Sequence, residues 1–177
     1  MVRRAEQLLA RAREAYDVKS PFLADHADVA WQSGFQSGAE WMRLALGALR
    51  EADSPKKQIA ANRIGMLKYG ISGIPAGLCL LTGHPVSLIF ALFFFYLLEA
   101  QMVFLFPLAL DGSRHPFSES RDWTQRAGGT FSVMTVIIPI ALSMIFGGFL
   151  GRGFVRSWSL GCLAVCIWYE ELRMLEN

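Results

Sequence analysis

VSLIFALFFFYLLEAQMVFLFPLAL, residues 86–110, is a run of twenty-five residues with one formal charge, Glu99, near its middle. At about 1.5 Å rise per residue, a helix of that length reaches across a hydrocarbon core of roughly 30 Å. The run predicts a membrane span, and the carboxyl group inside it is the sharpest chemical question in the chain. An ionised carboxylate at mid-membrane is expensive, so Glu99 has to be protonated, paired, or turned toward a wet cavity.

The composition around this run agrees with it. Of 177 residues, 53% are hydrophobic and only 18% charged, below the quarter or so usual for soluble domains. Ten of the seventeen Lys and Arg and eight of the fifteen Asp and Glu fall in the first 63 residues. The sequence therefore divides into a charged helical arm, residues 1–53, and a transmembrane bundle, residues 54–177. A net charge of +2 gives no nucleic-acid-binding balance. Cys79, Cys162 and Cys166 lie in apolar runs without CxxC spacing, which predicts buried hydrophobes rather than a disulfide framework or zinc site. No metal or other cofactor is implied, and bound lipid is the expected companion.

The arm begins MVRRAEQLLARAREAY, an amphipathic helix whose Glu6 and Glu14 argue against a targeting peptide. Ser20-Pro21 reads as a cap followed by proline at the first helical position. One helix is expected over residues 22–52, with Trp31, Phe35 and Met42 on a stripe that would dock a partner. Ser54-Pro55 repeats the cap signature and starts a third helix that runs into the first span.

Four spans are expected, over residues 64–82, 86–110, 129–150 and 154–171. Gly83-His84-Pro85 is so short a connection that the first two must form an antiparallel hairpin. The third has no charge and carries Pro139. The fourth is short in apolar content and needs Arg156 to snorkel, with Trp158, Trp168 and Tyr169 as interfacial anchors. Gly73 and Gly77, and Gly147 and Gly151, make small-residue faces suited to close helix packing. Basic residues of the arm, then Arg114, Arg121, Arg126 and Arg173, place both termini on the cytoplasmic side of a bacterial inner membrane, or the matrix side of an organellar one. The fold class is thus an all-α integral membrane protein, two hairpins plus an amphipathic arm.

For Glu99, the reading is a polar clasp. Pro139 cannot donate to the carbonyl of Thr135, and residue counting from the inner face puts both at about the depth of Glu99. A protonated Glu99 would bond that carbonyl, or the hydroxyl of Thr135 or Ser132. Alternatively Glu99 serves as a proton- or ion-binding group. The same counting leaves Lys68 about 10 Å away along the membrane normal, a long reach for an ion pair, and its ammonium is expected to snorkel to the headgroups.

Arg114-His115-Pro116, followed some fifty-five residues later by Glu170-Glu171 with a hydrophobic hairpin between, resembles the isoprenylcysteine carboxyl methyltransferases, where an RHP tripeptide and a later EE pair help form the cofactor and substrate site. The resemblance implies a membrane enzyme. The chain ends six residues after Glu171, where that family carries a further segment. The leading expectation is a non-catalytic subunit of a larger energy-transducing or transport complex, embedded in lipid beside other subunits or copies of itself. A small oligomeric transporter or channel using Glu99 and a membrane methyltransferase are the alternatives.

Overall fold

The computed structural model describes residues 2–18, 20–32, 34–50 and 59–175, and all regular structure among them is helical. Helix α1 (Val2–Val18) buries Ala5, Leu8, Ala12 and Tyr16 at three- and four-residue spacing, the stripe of an amphipathic helix. Arg3, Glu6, Arg13 and Glu14 face outward.

The single helix expected over residues 22–52 is two, α2 (Ser20–Gln32) and α3 (Phe35–Arg50). The break falls at Gly34, whose φ of 76° only glycine adopts without a steric cost. It turns α3 back on α2, where Trp41 Nε1 donates to Leu23 O at 3.0 Å. The Ser54-Pro55 signature and the Trp31 side chain lie outside the described residues.

The expected hairpin is α4 (Ala61–Leu80) and α5 (Pro85–Gln101). His84 caps α5 by accepting from Val86 N at 3.3 Å, and Pro85 occupies the first position, where its missing N–H costs nothing. Residues 86–110 are not one unbroken helix. After α5 the backbone turns at residues 102–104 and resumes as α6 (Leu105–Leu110). Pro107 explains the break, because it has no N–H for the carbonyl of Val103 and its ring crowds that group. Thr124 of α7 (Pro116–Arg126) closes the gap by donating to Ala100 O at 2.7 Å. Helix α7 occupies the polar segment between the second and third expected spans. It stops at Gly128 and Gly129, with φ of 102° and 85°.

Helices α8 (Thr130–Gly147) and α9 (Phe154–Met174) form a second antiparallel pair joined by the π-turn Gly148–Arg152. They approach closely: a Cβ on Gly147 would lie 2.6 Å from Ser157 Oγ. Two stretches, Pro85–Leu110 and Thr130–Gly151, are long and apolar enough to cross a membrane, and only 28% and 33% of their most apolar windows is buried. That outward apolar surface is unlike the core helix of a soluble protein.

Helix α9 differs from the expected fourth span. It is largely buried, from Ser157 through Glu170, and packs against α1, α2, α3 and α8. Glu171 pairs with Arg4 and Arg11, and Arg156 pairs with Asp17 at 2.9 Å. These links tie α1 antiparallel along α9, over about 20 Å of each. Arm and bundle share one hydrophobic core, in which Leu8, Leu23, Trp41 and Leu46 join Ile137, Leu163 and Trp168.

Candidate functional site

The hairpin turn sets which residues of α4 and α5 face each other. Lys68 stands twelve residues before the end of α4 at Leu80, and Glu99 fourteen after the start of α5 at Pro85. Both are therefore about 18–21 Å from the turn. Lys68 Nζ and Glu99 Oε2 are 2.9 Å apart, with side chains only 8% and 15% exposed. This corrects two sequence readings. Lys68 does not snorkel to a surface, and the pair that seemed out of reach is formed. Depth counted from an inner membrane boundary separates the two residues, whereas the turn shared by the two helices is the real reference.

The clasp to α8 is not what Glu99 uses. The Thr135 hydroxyl donates to Ser132 O of its own helix at 2.7 Å, from an exposed position. Glu99 Oε1 is buried without a hydrogen-bond partner among the described residues. The Lys68 ammonium also lies over the rings of Tyr69 and Phe106, 5.2 and 5.9 Å from their centroids. Opposite charge and two aromatic faces together make an ammonium tolerable away from water.

The pair forms part of the wall of a cavity of about 470 Å³. Helix α3 contributes Phe35 and Met42, α4 Lys68 and Tyr69, and α5 Tyr96 and Glu99. Ile140 and Met144 of α8 and Trp158 and Cys162 of α9 close the far side. The surroundings are thus mostly apolar and aromatic, with the ion pair and the hydroxyls of Tyr69 and Tyr96 as the polar groups. Such a concave, mostly apolar site with few polar groups is the usual form of a small-molecule site.

The remaining sequence candidates distribute around this cavity. Phe35 stacks on Tyr69, centroids 5.3 Å apart and planes 18° apart, and its ring fills the space where a Cβ on Gly65 would sit. Met42 is buried. Met42 thus serves the chain's own interior, whereas Phe35 packs on Tyr69 and still leaves 37% of its surface exposed. Gly147 does pack closely, but Gly151 is a turn residue with φ of 78°, and a Cβ at Gly73, Gly77 or Gly151 would meet nothing within 4 Å.

A second polar cluster gathers where α3, α6 and α9 end. Arg50 donates to Asp111 at 2.7 and 2.8 Å and to Glu170 at 2.9 Å, and Tyr169 donates to Asp111 at 2.7 Å. Burial pushes the Asp111 carboxyl up, but the hydrogen bonds from Arg50 and Tyr169 outweigh it and hold the group below its ordinary value. The two carboxylates in turn raise Arg50 against its own burial. Glu170 and Glu171, the acidic pair of the methyltransferase resemblance, are thus held by Arg50, Arg4 and Arg11. Neither Arg114 nor His115 is among their partners. Among the described residues no three His, Cys, Asp or Glu group as metal ligands.

The sequence reading missed Tyr69, Trp158 and Cys162 as cavity residues, and Arg50 as a hub. An arginine closing a helix whose last turn is otherwise apolar was the available signal for Arg50. Comparison with protein-family models, curated proteins and solved structures finds no match, so the functional reading rests on the geometry.

Proposed function

We propose that this chain is a non-catalytic subunit of a membrane assembly, made with other subunits or with copies of itself. Helices α4, α5–α6, α8 and α9 cross the bilayer as two hairpins, with α9 as the sheathed member. The observation that carries this reading is the course of α1. If α9 crosses a membrane, α1 crosses most of it alongside, and Arg3, Glu6, Arg13 and Glu14 point away from the core. A charged side chain facing hydrocarbon costs about 2.5–3.5 kcal/mol on insertion scales. That face must therefore meet a polar partner surface or water, while the apolar outer faces of α4, α5 and α8 meet lipid. The cluster of Arg4, Arg11, Arg50 and Arg173 at the Glu170–Glu171 end supports placing that end, and both termini, on the inner side.

The test uses single cysteines in a cysteine-free background, labelled in intact membrane vesicles with an impermeant maleimide. His84→Cys and Arg114→Cys should react from opposite sides, and Glu14→Cys should be shielded until the assembly is dissociated by harsh detergent. Labelling of His84→Cys and Arg114→Cys from the same side would mean that the bundle lies flat on the membrane. The α1 face would then need no partner, and the proposal fails.

The Lys68–Glu99 pair favours a second reading, a small oligomeric transporter. Proton or ion flux in liposomes that Glu99→Gln abolishes would replace the subunit reading with that one.

A further inference from the structure

We propose that the cavity beside the Lys68–Glu99 pair binds a neutral, lipid-soluble molecule carrying one hydroxyl, a phenol or an alcohol on an apolar body. The volume of about 470 Å³ falls within the roughly 300–1,000 Å³ of small-molecule sites. The chemistry of the wall then narrows the occupant. Lys68 and Glu99 cancel each other at 2.9 Å, so a charged ligand of either sign would have to leave water and also compete for one partner of the pair. A neutral ligand does neither.

Glu99 Oε1 is buried and meets no donor among the described residues, the hydroxyls of Tyr69 and Tyr96 on the same wall included. Lys68 already spends its ammonium on Glu99 and on the Tyr69 and Phe106 rings. The carboxylate torsion of a glutamate is soft, so Oε1 turns toward an incoming O–H without moving the stem of the side chain. A buried acceptor left unmet is costly, and a hydrogen bond to a charged group is stronger than a neutral one. A single hydroxyl therefore supplies what is absent and adds no polar atom that the apolar wall cannot satisfy. The stacked Phe35 and Tyr69 rings, with Trp158 across the cavity, offer flat faces to a ring-bearing body. This inference does not depend on whether the chain works as a subunit or a transporter.

Cys162 on the cavity wall is the reporter, while Cys166 is buried in the core. The full chain carrying Cys79→Ser, in lipid nanodiscs together with any co-purifying partner, is treated with N-ethylmaleimide and the Cys162 adduct followed by peptide mass. The probes are 4-nonylphenol, its methyl ether 4-nonylanisole, and 4-nonylbenzoate. The phenol should protect Cys162 at concentrations roughly tenfold or more below the ether, and the benzoate should protect least. In Lys68→Met/Glu99→Leu, phenol and ether should protect equally. Equal protection by phenol and ether in the unsubstituted cavity would overturn the hydroxyl requirement while leaving the cavity as a binding site. Strongest protection by the benzoate would overturn the requirement for neutrality. No protection by any probe would overturn the site itself. The comparison among probes needs only the chain with its pair intact, so a double variant that fails to fold leaves it decisive.

Discussion

The α4–α5 hairpin and the α1–α9 pair are built inside out relative to each other. The hairpin turns Ile74, Leu78, Ile89 and Phe90 outward and hides the opposite charges of Lys68 and Glu99 between its helices. The α1–α9 pair does the reverse, burying Leu8, Ala12, Leu163 and Ala164 and turning Arg3, Glu6, Arg13 and Glu14 of α1 outward, with ion pairs at both ends. Helices that share one core thus present opposite surfaces to their surroundings. Hydrophobic burial alone does not make that distinction, because both pairs bury apolar residues. What separates them is where the charge goes, and charge placement reports the solvent each face is built for.

Breaking the hairpin's hidden pair should give the largest effect. Lys68→Met alone, or Glu99→Leu alone, leaves one buried charge uncompensated and should cost about 3–5 kcal/mol in a detergent-unfolding measurement. The double variant should recover most of the loss, since an apolar pair of similar volume needs no partner. Equal losses in the single and double variants would mean that the pair is not what stabilises this position.

Leu8→Ala probes the other side of the comparison. Leu8 is 1% exposed, so truncation should destabilise the whole chain by about 2–5 kcal/mol. A separable arm would instead melt in its own transition and leave the bundle's midpoint unchanged.

The cluster at the end of α9 should respond to acid. Asp111 is held below its ordinary value of about 3.9. The unfolded chain therefore takes up this proton first as pH falls. The stability from Asp111 is complete above about pH 4 and is lost as pH drops through the depressed folded value. Titrating stability from pH 6 downward should show this loss, and Asp111→Asn should remove it.

Gly77→Ala sharpens the outer face of the hairpin. With nothing within 4 Å of the new Cβ, the substitution should stabilise the helix by roughly 0.5–1 kcal/mol. A loss of co-purifying protein instead would mark that glycine face as a contact with a partner. Arg156→Ala should do least, within about 1 kcal/mol and diminishing with salt, because Arg156 and Asp17 are more than half exposed.

Much of the site was legible in the chain itself. The turn at residues 83–85 puts Lys68 and Glu99 at one depth by counting alone, and the error came from counting toward a membrane boundary that no residue defines. The helix break at residues 102–104 was likewise written in Pro107, though a long apolar run masks a single proline. Gly34 does not by itself mark a helix end, because an isolated glycine inside a helical pattern is tolerated at a cost of about 1 kcal/mol. The cavity was not readable at all. Phe35, Tyr69, Tyr96, Trp158 and Cys162 come from four helices, and nothing in local periodicity says which helix faces will meet.

By itself the sequence determined that this chain is helical, that two stretches are apolar enough to cross a membrane, and that α4 and α5 return on each other. Those properties follow from local chemistry: periodicity, run length, and a turn too short for any other path. Only the tertiary structure decided that α1 lies along α9 and that Arg50 binds both Asp111 and Glu170. It also placed Glu99 against Lys68 rather than Thr135. In each case several partners were chemically adequate, and the choice fell to packing, which fills space with helix faces far apart in sequence and then leaves each charge the partner within reach.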